Sequence, residues 1–182
     1  MLVILVLVVA ACGANSGNED TTGEATDPEP QEANETVTIQ HELGETPVEK
    51  NPETVVVFDF GSLDTLDKLG VDIAALPKTN IPSYLSKFEA DEYVNVGSLK
   101  EPDFEKIHEL QPDLIVISGR QQDLYEDFQE IAPTIYLAVD TTNYMASFKE
   151  NVTTLGEIFD KEAEVEAELA NIDEMIEQLH EK

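Results

Sequence analysis

Few residues in this sequence are equipped for chemistry, and those that are suit the holding of an anion. Arg120 is the sole arginine of the 182-residue chain. It stands just after the apolar run Leu114-Ile115-Val116-Ile117, in the polar stretch Ser118-Gly119-Arg120-Gln121. A guanidinium offers a planar fork of donors and a flat face, whereas an ammonium offers a point charge. Lys78 occupies a comparable place after Ala75-Leu76-Pro77, although an ordinary solvated lysine explains it as well. Similar short segments, Gly61-Ser62, Gly97-Ser98 and Asp140-Thr141, follow other apolar runs. Ser62, Lys78, Arg120 and Gln121 are therefore the candidate ligand contacts, with Arg120 the main anchor and Lys78 a weaker helper.

The sequence carries no catalytic pattern and points away from an enzyme. It has no Gly-rich phosphate loop closed by Lys-Ser/Thr, no Gly-x-Ser-x-Gly elbow, and one cysteine, Cys12, with no histidine beside it. His41, His108 and His180 lack zinc-site spacing, and the acidic runs lack the central glycine of a calcium loop. No cofactor and no metal site of the protein's own is expected. Charge narrows the partners further. Thirty-nine acidic residues against ten basic ones give a formal charge of -29, which repels nucleic acid and anionic lipid headgroups.

Residues 1–11 form an apolar run too short to span a bilayer, ending at Val9-Ala10-Ala11-Cys12. That motif resembles the bacterial lipobox, so residues 1–12 read as a signal peptide with Cys12 as the lipidated residue. Residues 13–36 hold Gly, Ser, Thr, Asn, Pro and acid without lysine, arginine or aromatic residues, the composition of a disordered tether.

Strands alternating with helices must position the candidate contacts. Residues 37–48 alternate as a hairpin turning at Gly44, and Val55-Val56-Val57-Phe58 begins a strand covered on both faces. Ser62 is expected to cap a helix carrying Leu63, Leu66 and Leu69. Residues 73–76, 93–96, 114–117 and 134–139 read as further strands. Residues 82–89 read as a helical turn with Tyr84, Leu85 and Phe88 facing in, and a helix starts at Pro102. Two long helices close the chain, with Asp160 capping the second. The fold class is α/β, a mostly parallel sheet with helices on both faces, and its strand ends gather on one edge where ligands bind.

Thr54-Val55-Val56-Val57-Phe58-Asp59, Gly97-Ser98-Leu99-Lys100-Glu101-Pro102-Asp103-Phe104-Glu105-Lys106-Ile107 and Leu110-Gln111-Pro112-Asp113-Leu114-Ile115, in this order, resemble the iron-siderophore and cobalamin binding proteins of ABC importers. Phe58-Asp59-Phe60-Gly61-Ser62-Leu63-Asp64-Thr65-Leu66, Ser118-Gly119-Arg120-Gln121 and Ile131-Ala132-Pro133-Thr134-Ile135-Tyr136-Leu137 add a likeness to petrobactin-binding lipoproteins. The resemblance implies two lobes joined by a long helix, with the ligand between them. Residues 37–159 would be the N-terminal lobe and 160–182 the start of the inter-lobe helix, the second lobe lying beyond Lys182. It implies a ferric siderophore of catecholate type as ligand, petrobactin among the candidates, its iron already saturated. Glu101 resembles the glutamate that docks onto a permease arginine, while a carboxylate favoured by a helix dipole is the plainer account. The implied product is a monomeric, lipid-anchored protein on the outer face of the cell membrane, partnered by ABC permease subunits. Heme or cobalamin as cargo, a flavodoxin-like domain built around Asp59, and a truncated, non-functional product are the alternatives.

Overall fold

Alternating apolar and polar residues build an antiparallel hairpin first. The computed structural model describes residues 35–180, so the signal peptide, Cys12 and the tether up to residue 34 lie outside the described residues. β1 (Thr36–His41) pairs with β2 (Gly44–Glu49) in continuous register. The first strand thus begins one residue earlier than the tether boundary expected. Ile39, Thr46 and Val48 face inward, as the two-residue period of a strand requires. Thr46 Oγ1 donates to the Thr134 carbonyl at 2.8 Å and fastens the hairpin to the main sheet.

The main sheet comes from the apolar runs. In chain order it contains β3 (Val55–Val57), followed by α1 (Phe60–Lys68), then β4 (Ala75–Leu76), a 3-10 turn at Ser83–Glu89, and β5 (Val94–Asn95). Next come α2 (Phe104–Leu110), β6 (Leu114–Ile117), a 3-10 turn at Gln122–Leu124, α3 (Tyr125–Gln129) and β7 (Thr134–Tyr136). The strand order is β5-β4-β3-β6-β7, and every neighbouring pair is parallel. Successive valines of β3 serve opposite faces. Val55 and Val57 join Leu63 and Leu66 of α1, whereas Val56 and Phe58 join Ile107 of α2 and Phe128 of α3. Covering both faces explains why β3 and β6 are apolar at every position.

Two long helices follow, α4 (Tyr144–Ile158) and α5 (Glu162–His180). Leu155 and Ile158 seal the α1 face of the sheet, while Val152 and Val165 pack with Leu69 where the helices meet. Lys149 bonds both carboxylate oxygens of Asp173 at 2.7 and 2.6 Å, so α5 returns alongside α4. Ile172 of α5 is half-buried, and beyond it Met175 and Leu179 are exposed. Among the described residues no helix is long and apolar enough to cross a membrane.

Local expectations fail at several boundaries. Asp59, not Ser62, caps α1, because its extended backbone lets Oδ2 accept from Ser62 N at 2.7 Å and Ser62 Oγ at 3.1 Å. Asp103 caps α2 through Lys106 N, and Pro102 instead sits outside the helix in a bridge to Gly97. Asp160 does not cap α5. Its carboxylate accepts from Lys50 Nζ at 2.7 Å and Asn51 Nδ2 at 2.6 Å, bonds that hold its carboxyl below the usual range, and the Lys161 carbonyl receives Val165 N. Tyr84 points out at 68% exposure because the three-residue repeat of a 3-10 turn aligns Leu85 with Phe88 and leaves position 84 outside.

Candidate functional site

The chain order defines where the site belongs. From β3 the connections step outward through β4 to β5, then cross to β6 and β7 on the other side. The switch point lies between the carboxyl ends of β3 and β6, where open α/β sheets leave a crevice. Asp59, Phe60, Gly61 and Ser62 follow β3 there, and Ser118, Gly119, Arg120 and Gln121 follow β6.

Arg120 is exposed, and its guanidinium forms no ion pair or hydrogen bond with another described residue. The contrast with the lysines is informative. Lys50, Lys68, Lys87, Lys106, Lys149 and Lys161 each meet an aspartate or glutamate. Arg120 and Lys100 are the described arginine and lysine side chains whose charged groups meet no acceptor on another described residue, whereas Lys78 meets backbone carbonyls only.

Lys78 is engaged differently. Its ammonium donates to the Glu89 and Ala90 carbonyls and closes the end of the Ser83–Glu89 turn. Its backbone amide and that of Gly97 both donate to Asn95 Oδ1, at 3.2 and 3.1 Å, tying the ends of β4 and β5 together. Ser62 is 6% exposed with its hydroxyl committed to Asp59. Gln121 is 0% exposed. Its Oε1 accepts from Ser118 N at 3.1 Å and its Nε2 donates to the Leu99 carbonyl, so in this structure it offers no polar atom to a ligand.

Glu101 sits on a tight loop after β5. Gly97 adopts a φ of +98, Ser98 N donates to the Glu101 carbonyl at 3.0 Å, and Ser98 Oγ accepts from the amides of Lys100 and Glu101. The Glu101 side chain is exposed and lies before the N-cap of α2, outside the first helical turn. At the end of β7 the hydroxyl and amide of Thr142 hold the Asp140 carboxyl below the usual range, leaving a fixed anion on the same edge.

A cleft of about 430 Å³ opens on the α1 and α4 side. It runs from Asp59 and Ser62 past Tyr84, Val139 and Tyr144 to Ile172 of α5. Ser62 is the only one of the four candidate contacts that lines it, so the groove and Arg120 are neighbouring features rather than one pocket. Tyr84, expected from the sequence to face in, and the 57%-exposed Tyr144 supply flat aromatic faces. Among the described residues no group of three metal-ligating side chains comes together. The edge thus combines an uncommitted guanidinium, polar turns and a partly aromatic groove, an arrangement suited to gripping an anion with flat rings.

Comparison with known proteins agrees with that chemistry. A family model described as "Periplasmic binding protein" matches residues 55–182. The petrobactin-binding protein YclQ of Bacillus subtilis (strain 168) is 55% identical over 179 residues, covering 96% of this chain and 55% of that protein. Its crystal structure superposes with a TM-score of 0.78 at 61% identity, over 79% of this chain and 52% of that one. The periplasmic catecholate-siderophore binding protein VctP of Vibrio cholerae superposes with a TM-score of 0.74 at 40% identity, over 81% and 56% of the two chains. The chain spans about half the length of the curated relatives it matches.

Proposed function

The chain belongs to the periplasmic binding protein family, and from that premise we propose that it captures a ferric siderophore of catecholate type, petrobactin being the first candidate, and delivers it to an ABC permease. In this reading residues 37–159 are one α/β lobe and α5 begins the helix leading to a second. Capture is its whole task, without bond-making, because the siderophore already fills the iron's coordination sphere. Cys12 carries the lipid that keeps the monomer at the outer face of the membrane, and Glu101 meets the permease.

The observation that carries the reading is Arg120. In a chain with 39 acidic residues, its one arginine stands at the switch point without a carboxylate partner among the described residues. A ferric catecholate is anionic and presents coordinated oxygens beside planar rings, a target for the guanidinium fork and its flat face. Long-range repulsion from the protein's acid is largely screened beyond a Debye length of about 8 Å at physiological salt. Lys78 contributes nearby positive potential, Ser62 lines the adjoining groove, and Gln121 supports the turn from beneath.

Tyrosine fluorescence offers a direct test, since the chain has five tyrosines and no tryptophan. Titrating ferric petrobactin into the protein as the cell makes it should give weaker binding for Arg120→Ala, and weaker binding even for Arg120→Lys, which keeps the charge and loses the fork. Equal affinity for wild type and Arg120→Ala would remove this residue from the site.

A further inference from the structure

Gln121 is the candidate contact that the structure buries completely. Its carboxamide joins two loops that meet only in the fold. Oε1 closes the Ser118–Gln121 turn that displays Arg120, and Nε2 reaches the carbonyl of Leu99, 22 residues earlier. Leu99 lies inside the loop that carries Glu101, and Ser98 has already locked that loop through the Lys100 and Glu101 amides. One neutral side chain therefore accepts on one side and donates on the other. An amide can do both at once, whereas an ionised carboxylate only accepts. The carboxamide itself is fully buried while its two backbone partners are part-buried, so a side chain that cannot make both bonds leaves polar groups poorly matched at the junction.

We propose that Gln121 is a positioning residue that holds the Arg120 turn and the Glu101 loop in one fixed relation, linking the ligand-facing and permease-facing parts of the edge. The link rests on the roles read above for Arg120 and Glu101. Its geometry stands apart from them.

Gln121→Glu tests it through protonation state. Burial raises a carboxyl's pKa. In its acid form the glutamate can still accept from Ser118 and donate to Leu99. Once ionised, it sets negative charge against the Leu99 carbonyl. Gln121→Met matches the length and removes both bonds at every pH. Two quantities are measured on the protein as the cell makes it: amide hydrogen exchange without ligand, and ferric petrobactin affinity relative to wild type at the same pH.

At about pH 8, Gln121→Glu should speed exchange in both 98–101 and 118–121 and weaken binding about tenfold, with both effects receding at about pH 5. Gln121→Met should show the defect at both pH values. Unchanged exchange in 98–101 for both variants would overturn the link, and so would a glutamate defect that does not recede on acidification in a folded protein. Because exchange is read without ligand, it decides the link even where Arg120→Ala leaves affinity intact and the reading of Arg120 falls.

Discussion

Gly97→Ala should damage this protein far more than the same change at Gly70, although both glycines have positive φ. Gly97 has a φ of +98 and Gly70, just past α1, a φ of +72. An alanine in a left-handed conformation costs roughly 1–2 kcal/mol at either position, and the loss of unfolded-chain entropy is common to both. Space separates them. A Cβ on Gly70 meets nothing within 4 Å, whereas one on Gly97 falls 2.4 Å from the Glu101 carbonyl oxygen and 3.0 Å from Asp103 N. Ordinary carbon-to-oxygen approaches are about 3.3 Å or more, so the backbone of the Glu101 loop must move by about 1 Å. That movement disrupts Ser98 N to Glu101 O at 3.0 Å and Asp103 N to Val96 O at 2.9 Å. At about 1 kcal/mol per bond the difference between the two variants is about 2 kcal/mol. With a urea m-value of about 2 kcal/mol/M, the midpoint of Gly97→Ala should lie about 1 M below that of Gly70→Ala. Equal midpoints would refute the steric argument and reduce Gly97 to an ordinary turn glycine.

Glu101→Ala should lower siderophore uptake in cells while leaving ferric petrobactin affinity intact, and a matching loss of affinity would count against docking. Cys12→Ser should release the protein from the membrane fraction, and unchanged retention and processing would sink the anchor assignment. His41 links stability to pH. Burial depresses its imidazole below 6.5, so the stability it contributes is fully present above that value and lost as pH falls through the lower folded value. Urea midpoints of wild type should therefore drop between pH 7 and about pH 5 more steeply than those of His41→Gln; parallel curves would show that the ring does not titrate with folding.

The parts of the fold legible in sequence were those set by burial on two sides. Val55-Val56-Val57 and Leu114-Ile115-Val116-Ile117 read as covered strands because every residue is apolar, and both are fully buried. The short strands were overdrawn, since an apolar stretch such as 73–76 continues past the two residues that pair. The start of the first helix is misplaced because two capping residues stand close together. Asp59 and Ser62 are both good caps, and the choice depends on the backbone angle at residue 59, which no local pattern reveals. Arg120 could be singled out because it is a lone cation after a buried strand. The inward placing of Gln121 is not legible locally, since one of its two bonds goes to Leu99, far away in sequence. Tyr84 reads as an inward residue because spacing alone cannot say which side of a short helical turn the sheet leaves bare.

The electrostatics of the edge depend on how the few positive charges are spent. Six lysines in exposed or part-exposed ion pairs add little stability, about 0–1 kcal/mol for a typical surface pair. Their larger effect is to cancel positive potential locally, which leaves Arg120 as a distinct cation in an acidic field. How much such a cation contributes depends on its surroundings. Two unit charges 4 Å apart attract by about 1 kcal/mol in bulk water and about 4 kcal/mol at an effective dielectric constant of 20. Arg120 as described here is open to water and sits at the low end of that range. Under the proposed function, strong capture would require that the bound anion, or whatever closes over it, exclude water from the guanidinium. The bare attraction then rises by about 3 kcal/mol, set against the cost of stripping water from both charges, so the net gain depends on how well the complex replaces that water. Selectivity follows from the same requirement. In that reading a small hydrated anion would leave the guanidinium wet, whereas a broad complex with flat rings would bring its own apolar cover.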